Sequence, residues 1–345
     1  MKQSSPFPFS RSVMPGLVSV MLAACSPAPD QAAVTEQPAE KPTAPLTAEP
    51  LAPLTVSGGY WIELSPVIVA AGNFYPVPVK VNEGGVRSIT AGDALVATNA
   101  ETQLLRESLV NPDLRIIMTV TEGFYRLVGR RSAGIEQLSD LKGKRVITPF
   151  HTSANYYLVA MLESVGLTED DVELVPFPKA DNVRVAMDMM SDVVLNGDAD
   201  VVAIWEPEAG DAVEEFGDDA IVLQDRSIYR EVFNLHTTAT ALADPARRKA
   251  IVEFVRAIAV ATDALKTDPE KYWPQISEVI GYPVDDIAAG WDEQGFPIQI
   301  VPDMLDVLEK EEVWIAKERN RTPRTREELA RFIDYSVLEE ALGPR

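Results

Sequence analysis

Apolar positions along the chain follow two periods, and stretches of the two kinds alternate. Short runs rich in Val, Ile and Leu predict strands at 55–56, 115–120, 125–128, 145–148, 172–176, 201–204 and 221–223, several with no polar alternation and so buried on both faces. Between them lie helical stripes. Tyr157, Leu158, Met161, Leu162 and Val165 recur at three- and four-residue spacing, with Gly166 as the stop, and 183–195 repeats the pattern up to Asn196-Gly197. This alternation predicts an α/β fold with mostly parallel sheets. After Asp244 the chain turns helical: Asp244-Pro245 and Asp268-Pro269 each offer a capping acid followed by Pro at the first helical position, and Ile251, Phe254, Val255, Ile258 and Leu265 form one stripe.

The first 53 residues follow neither period. Lys2 and Arg11 precede an apolar stretch, 13–24, too short to span a bilayer, which ends in Leu22-Ala23-Ala24-Cys25. Small residues followed at once by Cys resemble the lipobox of bacterial lipoproteins. That resemblance implies cleavage before Cys25 and lipidation of its thiol, with several acyl chains anchoring where one alone is marginal; the alternative is an ordinary secretory signal with an incidental Cys. Residues 26–53 hold seven prolines and no apolar stripe, which predicts an extended spacer. The 345 residues thus divide into a signal (1–24), a tether (25–53) and a body of two-domain size (54–345).

Charge and rare residues narrow the chemistry. The chain carries 53 acids and 31 bases, a formal −22, and loss of the signal with Lys2 and Arg11 takes it to −24. Such a charge argues against nucleic acid as a partner. One Cys excludes an internal disulfide and a multi-Cys metal site, and two His make a His-rich site improbable. No metal or cofactor is expected. Residues 181–225 hold thirteen acids against Arg184 alone; the plain reading is a solvated surface, the functional one a docking face for a partner protein.

Two stretches suggest a site. In Leu138-Ser139-Asp140-Leu141-Lys142-Gly143-Lys144-Arg145-Val146, followed by Pro149-Phe150-His151-Thr152-Ser153-Ala154-Asn155-Tyr156, a turn leads to a buried strand and then to a helix start. Free backbone N–H groups beside hydroxyls there can receive an anion, or Thr152 or Ser153 can simply cap the helix. In the second, Gly197-Asp198-Ala199-Asp200 leads through a strand to Trp205-Glu206-Pro207 at its carboxyl end, the edge where open α/β sheets place ligands. Trp205 is then a stacking surface or core, and Glu206 an acceptor for a ligand or a cap on the next helix.

These stretches, in this order, resemble the substrate-binding proteins of ABC transporters, in the nitrate/sulfonate/taurine branch. Gly58-Gly59-Tyr60-Trp61 is similar to that family's first ligand loop, and Ala91-Gly92-Asp93-Ala94 through Thr98-Asn99 to its second, although 76–92 is short for the family. The resemblance implies a two-lobed, type II periplasmic binding protein with a helical C-terminal region. Lobe I would be 54–125 with 232–345, and lobe II 126–231. By position it implies ligand contacts from Tyr60, Trp61, Thr98, Asn99, His151, Thr152, Ser153, Tyr156, Trp205 and Glu206, and from His236 on the return crossing unless that residue is structural. It further implies a monomer, lipid-anchored outside the cytoplasm through Cys25. A small organic, partly anionic ligand would pass from it to an ABC permease and its ATPase.

Rival readings are an extracytoplasmic lipoprotein enzyme with Glu206 or His151 as general base, a ligand-sensing subunit, and a receptor of the tripartite ATP-independent type. Thiamine-pyrimidine synthases of the same superfamily need a Cys-rich signature, from which this sequence departs. No G-x-S-x-G, H-E-x-x-H or Cys nucleophile is present in the body.

Overall fold

A computed structural model of the chain describes residues 51–343. The expected signal, Cys25 and nearly all of the spacer lie outside the described residues. Eleven strands are found among the described residues: β1 (Leu54–Gly58), β2 (Val79–Glu83), β3 (Val96–Ala100), β4 (Leu114–Gly123), β5 (Arg126–Arg130), β6 (Arg145–Ile147), β7 (Glu173–Val175), β8 (Val201–Ile204), β9 (Ala220–Leu223), β10 (Glu231–Thr238) and β11 (Gln294–Gly295).

They form two sheets, ordered β11-β4-β10-β3-β1-β2 and β7-β6-β8-β5-β9. Each sheet runs mostly one way. In the larger, β1 pairs in parallel with β2 and β3, while β10 lies antiparallel between β3 and β4. In the smaller, β6 pairs in parallel with β7 and β8, and β5 lies antiparallel between β8 and β9. β11 is reversed as well, antiparallel to β4 at the edge, and the reversed strands β5 and β10 are those by which the chain enters one sheet from the other. It passes at 123–126 and returns at 223–231, and the Gln224 amide ties the two passages by donating to the Phe124 and Tyr125 carbonyls at 3.3 and 3.1 Å.

Each sheet has its own core. Val56, Leu104, Ile116, Met118, Phe254 and Ile258 belong to the larger sheet's core, and Leu127, Val146, Leu158, Met161, Val201 and Ile204 to the smaller's. Trp61 and Tyr156 pack against both. The helices start where their caps put them. Asn182 accepts from Val185 N at 3.0 Å to open the helix Val183–Leu195, and Asp244 accepts from Ala246 N and Arg247 N to open Pro245–Thr267. The second acid–Pro pair works otherwise. Asp268 is the C-cap of the long helix, Tyr272 N donates to Pro269 O at 2.9 Å, and the next helix is Trp273–Ile280. Helices Met304–Glu318, Arg326–Ala330 and Ser336–Leu342 complete the C-terminal region. No described helix is long and apolar enough to cross a membrane.

Candidate ligand-binding site

Trp61 and Trp205 meet from opposite sheets. Trp61 follows the carboxyl end of β1, Trp205 follows that of β8, and their rings lie edge-on with centroids 5.6 Å apart. Tyr125, in the passage between β4 and β5, packs 5.7 Å from Trp205. Around these rings is a cavity of about 380 Å³, also lined by Phe150, Phe233 and Met187 and, on its polar side, by Glu63, Asn99, Gln103, His151, Thr152, Ser153 and Glu231. A larger open groove, about 940 Å³, shares Asn99, Gln103 and His151 with it and opens outward past Arg106 and Glu318.

The helix Ser153–Ser164 begins at this cavity, but neither hydroxyl caps it. Thr152 Oγ1 donates back to Pro149 O at 2.7 Å. Ser153 Oγ lies 2.9 Å from the Tyr125 hydroxyl and donates to Glu231 Oε1 at 3.4 Å, so the expected anion-binding corner faces a carboxyl group. His151, at φ 63°, sits in left-handed backbone that few non-glycine residues adopt. Its Nδ1 is 2.9 Å from Glu318 Oε1, across from the smaller sheet to the helix Met304–Glu318. Asn99 Oδ1 accepts from Val86 N at 2.8 Å, which fixes the second loop.

Trp61, Asn99, His151, Thr152, Ser153 and Trp205 are therefore brought together. The other expected contacts are not, and each has a physical reason. The Glu206 carboxylate, 1% exposed, pairs with Arg126 at 2.5 Å and accepts from Gly210 N at 3.1 Å, capping the helix Glu208–Phe216 instead of facing a ligand. Tyr156 points away between Tyr229 and Trp314. Thr98 is fully buried on the opposite face of β3 from Asn99, with no hydrogen-bond partner for its hydroxyl. Tyr60 turns its hydroxyl to Val81 O at 3.4 Å. His236 is fully buried in β10 beside Ala97 O, and burial lowers its pKa to about 4, so it is a neutral core residue.

What sequence reasoning missed is the acid side. Glu63 and Glu231 are 2% and 4% exposed, and one carboxyl oxygen of each has no hydrogen-bond partner in the structure. Burial raises Glu63 to about 8, reinforced by the charges of Glu208 and Glu206. Burial, then Glu63 and Glu101, hold Glu231 well above the usual range. Behind them Glu101 accepts from the Tyr229 hydroxyl and from Val232 N, and is itself raised by burial. The available signal was an acid inside an apolar run, as in Trp61-Ile62-Glu63-Leu64, or at the head of one, as in Glu231-Val232-Phe233.

Contacts away from the cavity also join the two sides. Arg184, on the helix Val183–Leu195, donates to Ile280 O at 2.7 Å and lies over the Tyr282 ring at 3.5 Å. The Tyr282 hydroxyl donates to Glu208.

The family model described as NMT1/THI5 like matches residues 79–272, more than half of the chain. The chain belongs to that family. Solved structures agree with this NMT1/THI5-like membership in fold. The periplasmic aliphatic sulphonate binding protein SsuA from Escherichia coli is similar at TM-score 0.66 and 15% identity, over 81% of this chain and 91% of that one. The alkanesulfonate-binding protein SsuA from Xanthomonas axonopodis pv. citri, bound to MOPS, matches at 0.61 and 16%, over 84% and 100%. A mutant of the desulfurization enzyme DszB in complex with biphenyl-2-sulfinic acid matches at 0.63 and 17%, over 84% and 98%. At these identities the likeness establishes the periplasmic-binding-protein fold, which NMT1/THI5-like chains here share with both binding proteins and an enzyme.

Proposed function

We propose that the chain is an extracytoplasmic solute-binding lipoprotein that captures one small organic molecule between its two sheets and passes it to an ABC permease. The observation that carries this reading is the aromatic cavity at the junction of the sheets, walled by Trp61 from one side and Trp205 from the other. A ligand touching both walls is bound best when they are close, so it favours the closed arrangement, which a permease can recognise. We take the moving bodies to be 54–125 with 232–345, and 126–231. The fold's binding-protein neighbours support transport.

The enzyme reading is less favoured. Glu206 is committed to Arg126 and Gly210, and the sequence's one Cys, Cys25, is outside the body. A thermal-shift screen of sulfonates, nitrate, pyrimidines and amines tests the reading. A true ligand at a hundred times its Kd adds about 2.7 kcal/mol, and Trp61→Ala should abolish the shift. A screen in which nothing stabilises the protein, or in which the stabilising compound is chemically converted, contradicts it.

A further inference from the structure

We infer that the ligand is an organic cation with a flat or apolar body, seated with its N–H groups on the carboxyl groups of Glu63 and Glu231. This rests on the solute-binding reading and adds the charge of the solute.

The two acids are placed as a receptor for positive charge. Both carboxyl groups are more than nine-tenths buried, both line the aromatic cavity, and each keeps one oxygen without a partner. They converge on Gly123 at the end of β4. A Cβ at that glycine would lie 3.0 Å from Glu231 Oε2, 3.2 Å from the Tyr125 ring and 3.4 Å from Glu63 Oε1, so any other residue would crowd the acids and glycine is what lets both come this close to one point. Trp61, Trp205, Tyr125 and Phe233 supply ring faces and edges, and ring faces attract a cation. A buried polar oxygen left unmatched is costly, and a ligand N–H is the group that would satisfy it.

An anion has no comparable place. No described Lys or Arg lines the cavity. A sulfonate would find no countercharge there, only the two carboxyl groups, and would bind only while both stay protonated, the opposite pH dependence to a cation. A bare metal ion is equally ill served, because no described group of three His, Cys, Asp or Glu residues could hold one. The approach also favours positive charge. An acidic groove of about 490 Å³, lined by Asp188, Glu208, Asp211, Glu214 and Glu215, shares Met187 with the cavity and would steer a cation inward.

Binding should move protons. Glu63 is faced by Glu208 and Glu206, and Glu231 by Glu63, Glu101, Tyr125 and Ser153, with Glu311 and Tyr229 behind Glu101 and Arg106 acting on Glu311. Burial and these neighbours keep the acids protonated in the empty cavity at neutral pH. A bound cation stabilises the carboxylate form, so a proton leaves as the ligand enters. Affinity then rises with pH below the acids' raised pKa, by up to about tenfold per pH unit for one proton released.

Three probes that share a phenyl ring and differ in charge decide the matter: benzamidine, benzamide and benzenesulfonate, titrated calorimetrically at pH 6 and pH 8 in buffers of different ionisation enthalpy. The expected result is benzamidine binding at least about tenfold tighter than either other probe, tighter at pH 8 than at pH 6, with proton release to the buffer. Glu63→Gln and Glu231→Gln should each lose that preference, and the proton release of the unaltered protein stands as evidence even if a variant fails to fold. Equal or tighter binding of benzamide or benzenesulfonate, or no binding of benzamidine, overturns the charge assignment. The solute-binding reading falls only if the wider thermal-shift screen is empty as well.

Discussion

Buried acids play three different parts in this protein, and each part makes its own prediction. Glu206 is a structural ion. Removing it leaves the Arg126 guanidinium, 15% exposed, without its partner, so Glu206→Ala should cost about 3 kcal/mol in denaturant unfolding. Glu63 is a protonated acid in the empty cavity. Its folded pKa of about 8 lies above the ordinary 4.5, so its contribution is fully present below 4.5 and is lost as pH rises towards 8. The ligand-free protein should therefore melt lower at pH 8 than at pH 6, and Glu63→Gln should reduce that difference in a thermal scan across pH, Glu208 and the other buried acids supplying the rest. Glu312 has the opposite sign. Burial pushes its pKa up, but hydrogen bonds from Arg321 and Arg324 outweigh this and leave it at about 2. Its stabilisation is present above 4.5 and disappears as pH falls towards 2.

At the scale of elements, one contact between the two sides of the cleft depends on a residue with no side chain. Gly290 ends the helix Val284–Gly290, and a Cβ there would lie 2.9 Å from Glu206 Cβ and 2.9 Å from Ile62 Cδ1. Glu206 Cβ is fixed to its backbone and the Ile62 side chain is fully buried with no room to turn, so Gly290→Ala should hold the sides apart. Ligand affinity should fall about tenfold with far-ultraviolet circular dichroism unchanged; unchanged affinity would show that the sides do not close at this point. Elements whose stability is local were legible in the sequence. β8 is apolar at every position, and the helices Val183–Leu195 and Pro245–Thr267 carry their caps and stripes within themselves. β10 was not legible, because Glu231, Asn234, His236 and Thr237 are buried polar residues among its strand neighbours. Asn234, for example, accepts from Thr119 Oγ1 at 2.9 Å, 115 residues away. The site divides in the same way. Trp61, Asn99, His151, Thr152, Ser153 and Trp205 stand at sheet edges or helix starts that a sequence can mark, whereas Glu63 and Glu231 acquire their meaning only when the chain's two passages bring them to Gly123.

For the whole molecule, the account joins a tether, a cleft and a permease. Lipidation at Cys25 predicts that the protein labels with radioactive fatty acid and fractionates with membranes, and that Cys25→Ser does neither; an unlabelled parent protein would remove the anchor from the account. Part of the acidic band from Asp181 to Asp225 lines a groove that shares Met187 with the aromatic cavity. The central claim is that one molecule binds between Trp61 and Trp205. Its most direct test is calorimetric titration of the parent protein and Trp61→Ala with the compound giving the largest thermal shift. The account predicts one molecule bound per chain and at least about a hundredfold weaker binding to Trp61→Ala, whose circular dichroism stays unchanged. Equal affinity in the two proteins would place the solute elsewhere and contradict the account.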